Sequence, residues 1–171
     1  MIPNMEWLKK IKGDVHYDEP MAPWTSIRIG GPADVFIVPK SLDDLKTIYQ
    51  NAADTPVFVL GEGSNLLVRD RGIRGIVISL KDGLQSAREI SLIENPENPG
   101  MVLVQVGAGV KMSYLAKYTA RHGLSGLEGL VGVPGSLGGA LIMNAGAFGG
   151  EISNFLESVT VVTMNGEEKT Y

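Results

Sequence analysis

Two glycine-rich segments hold the residues of this chain whose types and spacing best suit chemistry. The first, Gly61-Glu62-Gly63-Ser64-Asn65, comes directly after the short apolar run Val57 to Leu60. Glycines lack a Cβ, so the backbone can approach an anion and adopt positive φ, and successive N–H groups can point at one phosphate. The Ser64 hydroxyl and the Asn65 amide add neutral donors. The spacing is not that of a helix-opening dinucleotide fingerprint, because Leu66 stands at the third glycine position and strand-like sequence comes next. A Walker loop fails as well, for want of a Gly-Lys pair. On spacing alone, a tight turn and a phosphate site fit equally.

The second segment runs from Gly123 to Gly150. Its glycines fall at 123, 126, 129, 132, 135 and 138, a period of three, and continue at 139, 146, 149 and 150. A collagen-like triple helix is untenable, since Pro134 is the single proline and Leu, Val and Ile fill other positions. A small-residue helix packed on a sheet is the competing account, but each glycine inside a helix costs about 1 kcal/mol. The stretch VPGSLGGALIMNAGAFGGE is therefore expected to wrap a ligand, with Ser136, Asn144 and free N–H groups turned toward it.

Other chemistries are narrowed by composition. There is no Cys, and His16 and His122 are the two imidazoles, so disulfides, thiol nucleophiles and zinc sites are excluded as expectations. With 15 Lys+Arg scattered against 19 Asp+Glu and a net charge of -4, nucleic acid is a poor partner. Charges interrupt every apolar cluster of MIPNMEWLKKIKGDVHYDEP, so neither signal peptide nor membrane span is drawn there and a cytoplasmic protein is expected. Oligomeric state is not legible. His122, after Arg121 at a helix end, reads as a surface group at a helix C-terminus. Glu128 and Glu151 have no evident partner for general acid work. Arg28 either neutralises a phosphate or pairs with an acid, and the sequence does not choose.

The elements that must position these residues are read from periodicity. Residues 1–24 read as an N-terminal extension, with a short helix around Glu6 to Ile11 and a connector through Pro20 and Pro23. ADVFIVP, from Ala33, is a β-branched and aromatic run. Ser41, three residues before Asp44, opens a helix whose apolar stripe is Leu42, Leu45, Ile48, Tyr49 and Ala52. Val57 to Leu60 and Gly75 to Leu80 read as buried strands, and Leu84 to Ile93 and Met101 to Val106 as two more, joined by ENPENPG. Ser113 opens a helix that Gly123 ends. Glu157 to Met164 is expected as a strand leading into a hairpin turn at Asn165-Gly166. The second strand of that hairpin stops at Tyr171, so the chain reads as a piece of something longer.

TSIRIGGPADVFIVP, LGEGSNLLVRDRGIRGIVISL and VGAGVKMSYLAKYTARHGLSGLEGLVGVPGSLGGALIMNAGAFGGEI resemble the FAD-binding portion of the UDP-N-acetylenolpyruvoylglucosamine reductase family, from about Thr25 onward. The resemblance implies an α+β, two-lobed FAD-binding domain of the vanillyl-alcohol-oxidase (PCMH) type in residues 25–171, with lobes 25–80 and 81–171, ending before a substrate-binding domain. It implies that both glycine loops converge on the FAD diphosphate. Gly61, Glu62, Gly63, Ser64, Asn65 and Leu66 would hold it from one side, and Gly132, Pro134, Gly135, Ser136, Gly138 and Gly139 from the other. Asn144, Gly146, Ala147 and Ile152 would approach the flavin or its ribityl chain, and Phe148 stands where Tyr is common.

In such a family NADPH reduces FAD, and the flavin passes hydride to the enolpyruvyl group of a UDP-sugar to give UDP-N-acetylmuramate. A Ser, an Arg and a Glu assist. The Arg belongs to a Tyr-Arg-x-Ser stretch that does not occur before Tyr171, so no catalytic residue and no metal ligand is named in this chain. The FAD domain of another oxidoreductase, or a non-catalytic flavin or nucleotide module, are the alternatives.

Overall fold

The computed structural model describes residues 5–171. It forms two compact units, one reaching to Gln85 and taking in Glu157–Tyr171, the other Ser86–Leu156. The first is built on a four-stranded sheet. Strands β1 (Asp14–Pro20), β2 (Pro32–Val38), β3 (Val57–Leu60) and β4 (Ile73–Ser79) lie in the order β1-β2-β4-β3. β2, β4 and β3 are parallel to one another, and β1 pairs antiparallel with β2. The central strands are covered on both faces, and so read as unbroken apolar runs: Val35, Phe36 and Ile37 on β2 and Ile76, Val77 and Ile78 on β4 are all buried. Met21, Leu60 and Val68 join Phe36 and Val77 in the core, and the Trp24 ring lies 4.3 Å from that of Phe36.

Helix α1 (Leu42–Ala52) connects β2 to β3 and buries Leu45, Ile48 and Ala52. Ser41 caps it as its spacing predicts, with Oγ accepting from Asp44 N at 3.2 Å. Asp44 itself does more than favour a helix N-terminus. Its buried carboxylate accepts from the backbone N–H groups of Lys12 (2.9 Å), Gly13 (3.1 Å) and Lys40 (2.8 Å), tying the approach to β1 onto the β2–α1 junction. Within the expected N-terminal extension, residues 14–20 are consequently a strand of this sheet. Hairpin β9 (Thr160–Val162) and β10 (Glu168–Thr170) belongs to the same unit, with Glu168 bound to Lys46 of α1 at 3.0 Å. Asn165-Gly166 forms its turn as expected, with Gly166 at φ 78°. The strand before it is shorter than the sequence suggests. Its paired part is 160–162, with single backbone bonds from Val159 N to Tyr171 O and from Thr163 N to Glu167 O just beyond.

The second unit holds hairpin β5 (Ile90–Glu94) and β6 (Val102–Val106), helices α2 (Met112–Arg121) and α3 (Leu137–Ile142), and the two-residue strands β7 (Gly146–Ala147) and β8 (Gly150–Glu151). Met112, Leu130, Val133, Ala140 and Ile152 form its core. Where one long strand is expected from Leu84, residues 85–88 instead make a 3-10 turn, and the carbonyl of Ala87 accepts from Gly109 N. Helix α2 begins one residue before Ser113, and Gly123 closes it at φ 67°. The boundaries of the two units thus differ from lobes 25–80 and 81–171, since the C-terminal segment Glu157–Tyr171 joins the first unit, beside α1. Among the described residues no helix is long and apolar enough to cross a membrane.

Removing the Asp44 carboxylate leaves three part-buried amides without their acceptor. Asp44→Ala should destabilise the protein by about 3 kcal/mol, against about 1 kcal/mol for Ser41→Ala, read as shifts of the urea unfolding midpoint.

Candidate functional site

In the first unit the segment Gly61–Asn65 leaves the end of β3 and is fastened by Ser26 N donating to Gly63 O at 3.1 Å. Gly63 sits at φ 66°, and a Cβ there would fall 2.1 Å from the Trp24 carbonyl oxygen. Its glycine is therefore required by packing of one loop on another, and Gly63→Val would disturb the fold before any ligand is considered. Ser64 is half-buried and Asn65 exposed, while Gly61, Glu62 and Leu66 are half-buried. A cavity of about 310 Å³ opens beside this loop, lined by Pro23, Trp24, Thr25, Ser26, Arg28, Glu62 and Lys81. Of these, the glycine pattern singles out Glu62 alone. Ser26 and Lys81 carry no local signal, because the pairing of the 24–28 turn with the loop brings Ser26 there and the end of β4 brings Lys81.

In the second unit the stretch Gly132–Gly139 is a turn that enters a helix. Leu137 N and Gly138 N donate to Val110 O and Ala108 O, each at 2.8 Å, and Met112 N donates to Gly135 O. Among the described residues the amides of Gly135 and Ser136 are given to no backbone carbonyl. Gly135 has φ 99°, Gly139 is exposed, and Pro134 is exposed beside them. The Ser136 side chain is buried and lies 3.5 Å from Gly139 N as the N-cap of α3. So part of the stretch expected to wrap a ligand is a small-residue helix, and Ser136 is first of all its cap.

Helix α3 closes in a Schellman arrangement. Ala145 N donates to Ala140 O and Asn144 N to Leu141 O, with Asn144 at φ 43°. The Asn144 side chain accepts from Ser153 N at 3.2 Å, and Ser153 Oγ donates to Glu151 at 2.7 Å. Hydrogen bonding from the Ser153 side chain, and after it from that of Asn144, holds the Glu151 carboxyl below the usual range. Ile152 is a core residue whose N–H donates to Ala145 O. Gly146 and Ala147 form β7, and the turn joining it to β8 is Phe148-Gly149, with φ 50° and 85°. A bulky residue held at positive φ is strained. Phe148 is nevertheless held there and 88% exposed, with its ring edge 3.9 Å from where a Cβ on Gly132 would lie. Val131, Ile142 and Met143 are also exposed on these segments, so apolar side chains and unspent amides occur together, the composition of a ligand pocket wall. Among the described residues no cluster of His, Asp and Glu is placed to hold a metal ion.

The family profile described as an FAD binding domain matches residues 33–171. A UDP-N-acetylenolpyruvoylglucosamine reductase from Agathobacter rectalis is 45% identical over 156 residues, covering 90% of this chain and 50% of the relative. The crystal structure of a reductase of the same name from Thermus caldophilus superposes with a TM-score of 0.69 at 33% identity, over 94% of this chain and 52% of that one. The structure of 6-hydroxy-D-nicotine oxidase from Arthrobacter nicotinovorans, 21% identical over 94% of this chain and 36% of its own, has a TM-score of 0.64 and shares the fold alone. The chain spans about half the length of the curated relatives it matches.

The Glu151 contacts make a prediction of their own. A carboxyl whose folded pKa is depressed contributes stability above its unfolded pKa and loses it as pH falls through the folded value. Ser153→Ala should move the Glu151 titration, followed by NMR, back up toward the ordinary carboxylate range. An unmoved titration would show that the serine hydroxyl does not hold the charge.

Proposed function

The chain belongs to the FAD-binding-domain family, and from that premise we propose that it is the FAD-binding part of an NADPH-dependent reductase. Its reaction would convert UDP-N-acetylglucosamine enolpyruvate to UDP-N-acetylmuramate, in the cytoplasm, for peptidoglycan precursor synthesis. The observation that carries this reading is 45% identity to a reductase of that name across 90% of the chain, through both glycine segments. FAD, when bound, supplies the hydride-transfer chemistry. The residues of this chain bind and orient it.

Whether the residues fit such a cofactor is a question of backbone. The unspent amides of Gly135 and Ser136, with exposed Gly132 and Gly139 on either side, suit a diphosphate that must be reached without side chains in the way. We assign the contact to Gly132, Pro134, Gly135, Gly138 and Gly139, with Ser136 fixing the helix start. Gly61, Glu62, Ser64, Asn65 and Leu66 are assigned to the same cofactor, with Gly63 fixing their loop. Exposed Asn144, Gly146 and half-buried Ala147 are assigned to the flavin or ribityl portion, and Ile152 supports them from the core. Ionised groups are few here. The chain's contribution is preorganised dipoles, which need no rearrangement when the cofactor arrives.

Adding FAD to the purified protein should shift its visible bands and quench its fluorescence. Gly139→Val is the discriminating variant, because its φ is ordinary and a Cβ there meets only Ser136 Oγ at 3.5 Å. It should weaken FAD about tenfold or more with the unfolding midpoint unchanged. Equal affinity in the folded variant would remove the diphosphate from this turn, and a protein that never binds FAD would remove the reading itself.

A further inference from the structure

Strand β6 leaves the second unit with an open sheet edge. Its pairing with β5 is framed by Gly107 N donating to Glu89 O at 2.9 Å and Asn95 N to Met101 O at 3.4 Å. Those bonds make 89/107 and 95/101 hydrogen-bonded pairs, and alternation along the ladder adds Ser91/Gln105 and Ile93/Leu103. Ile90, Leu92 and Glu94 on β5, and Val102, Val104 and Val106 on β6, therefore turn their N–H and C=O groups outward. Among the described residues no backbone bond outside the hairpin is made by Val102, Val104 or Val106, and the sheet has no third strand. A two-stranded ribbon is at best marginally stable in water without a further strand or a packed face. The three valines also share one face with Ile90 and Leu92, and Leu92 and Val102 are each 38% exposed.

Exposed edges are normally blunted by charges, proline, bulges or shortness. The other edges among the described strands carry such devices. β1 has Asp14, Asp18, Glu19 and Pro20, with Asp18 at φ 51° and passed over by the register. β3 is four residues long, β5 has Glu94 at an outward position, β9 is three residues long, and β10 has Glu168 and Lys169. Met101-Val102-Leu103-Val104-Gln105-Val106 has no charge, no proline and no residue at positive φ.

We infer that two copies of this chain associate through β6, paired antiparallel about a two-fold axis at Val104. Two features of the strand select a second copy as its occupant. The outward residues are placed symmetrically about Val104, so Val102 meets the partner's Val106 and Val104 meets the partner's Val104. Each such pair exchanges both backbone bonds, and the axis keeps the apolar faces of both copies on one side of a four-stranded sheet. The chain carries a net charge of -4, and an uncharged strand is where two such molecules approach with least repulsion. Pairing over the five residues Val102–Val106 is a small contact, so the dimer is weak, with a Kd of about 10–100 µM.

Sedimentation velocity over a concentration series reads the association. The whole chain should pass from monomer to dimer, and hydrogen exchange at Val102, Val104 and Val106 should slow as concentration rises. Val104→Lys and Val104→Glu each set like charges opposite one another at the axis and should weaken the dimer tenfold or more, whereas mixing the two variants should restore a heterodimer about as tight as the parent. Restored association also shows that both variants fold. Val59→Lys, at an exposed position on β3, should dimerise as the parent does. A parent that stays monomeric at about 1 mM overturns the inference. So does a monomer whose three amides are protected at every concentration, which gives the edge to another strand of the same chain. A dimer that survives Val104→Lys, or that the mixture fails to restore, removes the axis from Val104, and dissociation by Val59→Lys moves the contact to β3.

Discussion

A single buried carboxylate sets the frame of the first unit. Asp44 gathers the amides of Lys12, Gly13 and Lys40, and so fixes where the chain enters β1 relative to where it leaves β2. A buried charge is tolerated only when hydrogen bonds replace the water it has lost, and three backbone donors do that here. With the Asp14↔Val38 end of the antiparallel pair defined, the register runs on to Pro20↔Pro32. The turn after β1 must then return over Met21 and Trp24, and that turn carries Thr25, Ser26 and Arg28. One carboxylate thereby decides where that turn begins.

The second unit has no such hub and relies on backbone contacts between loops. Segment 107–112 and segment 135–138 exchange hydrogen bonds through Gly135 O, Leu137 N and Gly138 N, and the buried Ser136 hydroxyl caps helix α3. Small residues allow these segments to meet. At Gly138 a Cβ would lie 3.1 Å from Ala108, so even alanine would require the neighbour to move. The glycine density of this region lets loops pack on one another, and among the described residues it leaves the amides of Gly135 and Ser136 without a backbone acceptor.

The signals legible in the sequence were local ones. Ser41 and the apolar stripe of α1, the β-branched run of β2, Gly123 at a helix end and Asn165-Gly166 at a turn each carry their signal within a few residues, and the structure has all of them. β1 was not legible, because His16, Tyr17 and Asp18 alternate weakly and acquire a strand only by pairing with β2. Nor was α3, since two adjacent glycines speak against a helix that Ser136 and the Schellman closure nonetheless define. In the candidate site the glycine turns could be found, and the FAD-binding fold with them. The roles of Ser136 as cap and Ile152 as core could not, because a side chain's duty depends on what the rest of the fold has already enclosed. Lys81 is the extreme case, brought to the cavity by sheet topology with no motif around it.

Backbone dipoles and side-chain cations differ in what they can discriminate in an anion. Backbone amides at Gly135 and Ser136 are fixed dipoles that lose no side-chain entropy on binding, and they demand close approach, so they select for shape. Side-chain cations act at longer range and are weakened by salt, so they select for charge. A protein of net charge -4 repels a phosphorylated ligand at a distance. Dipoles alone fall off too quickly to reverse that repulsion, so backbone amides such as those of Gly135 and Ser136 bear on how closely an anion can be held rather than on how far away it is drawn in.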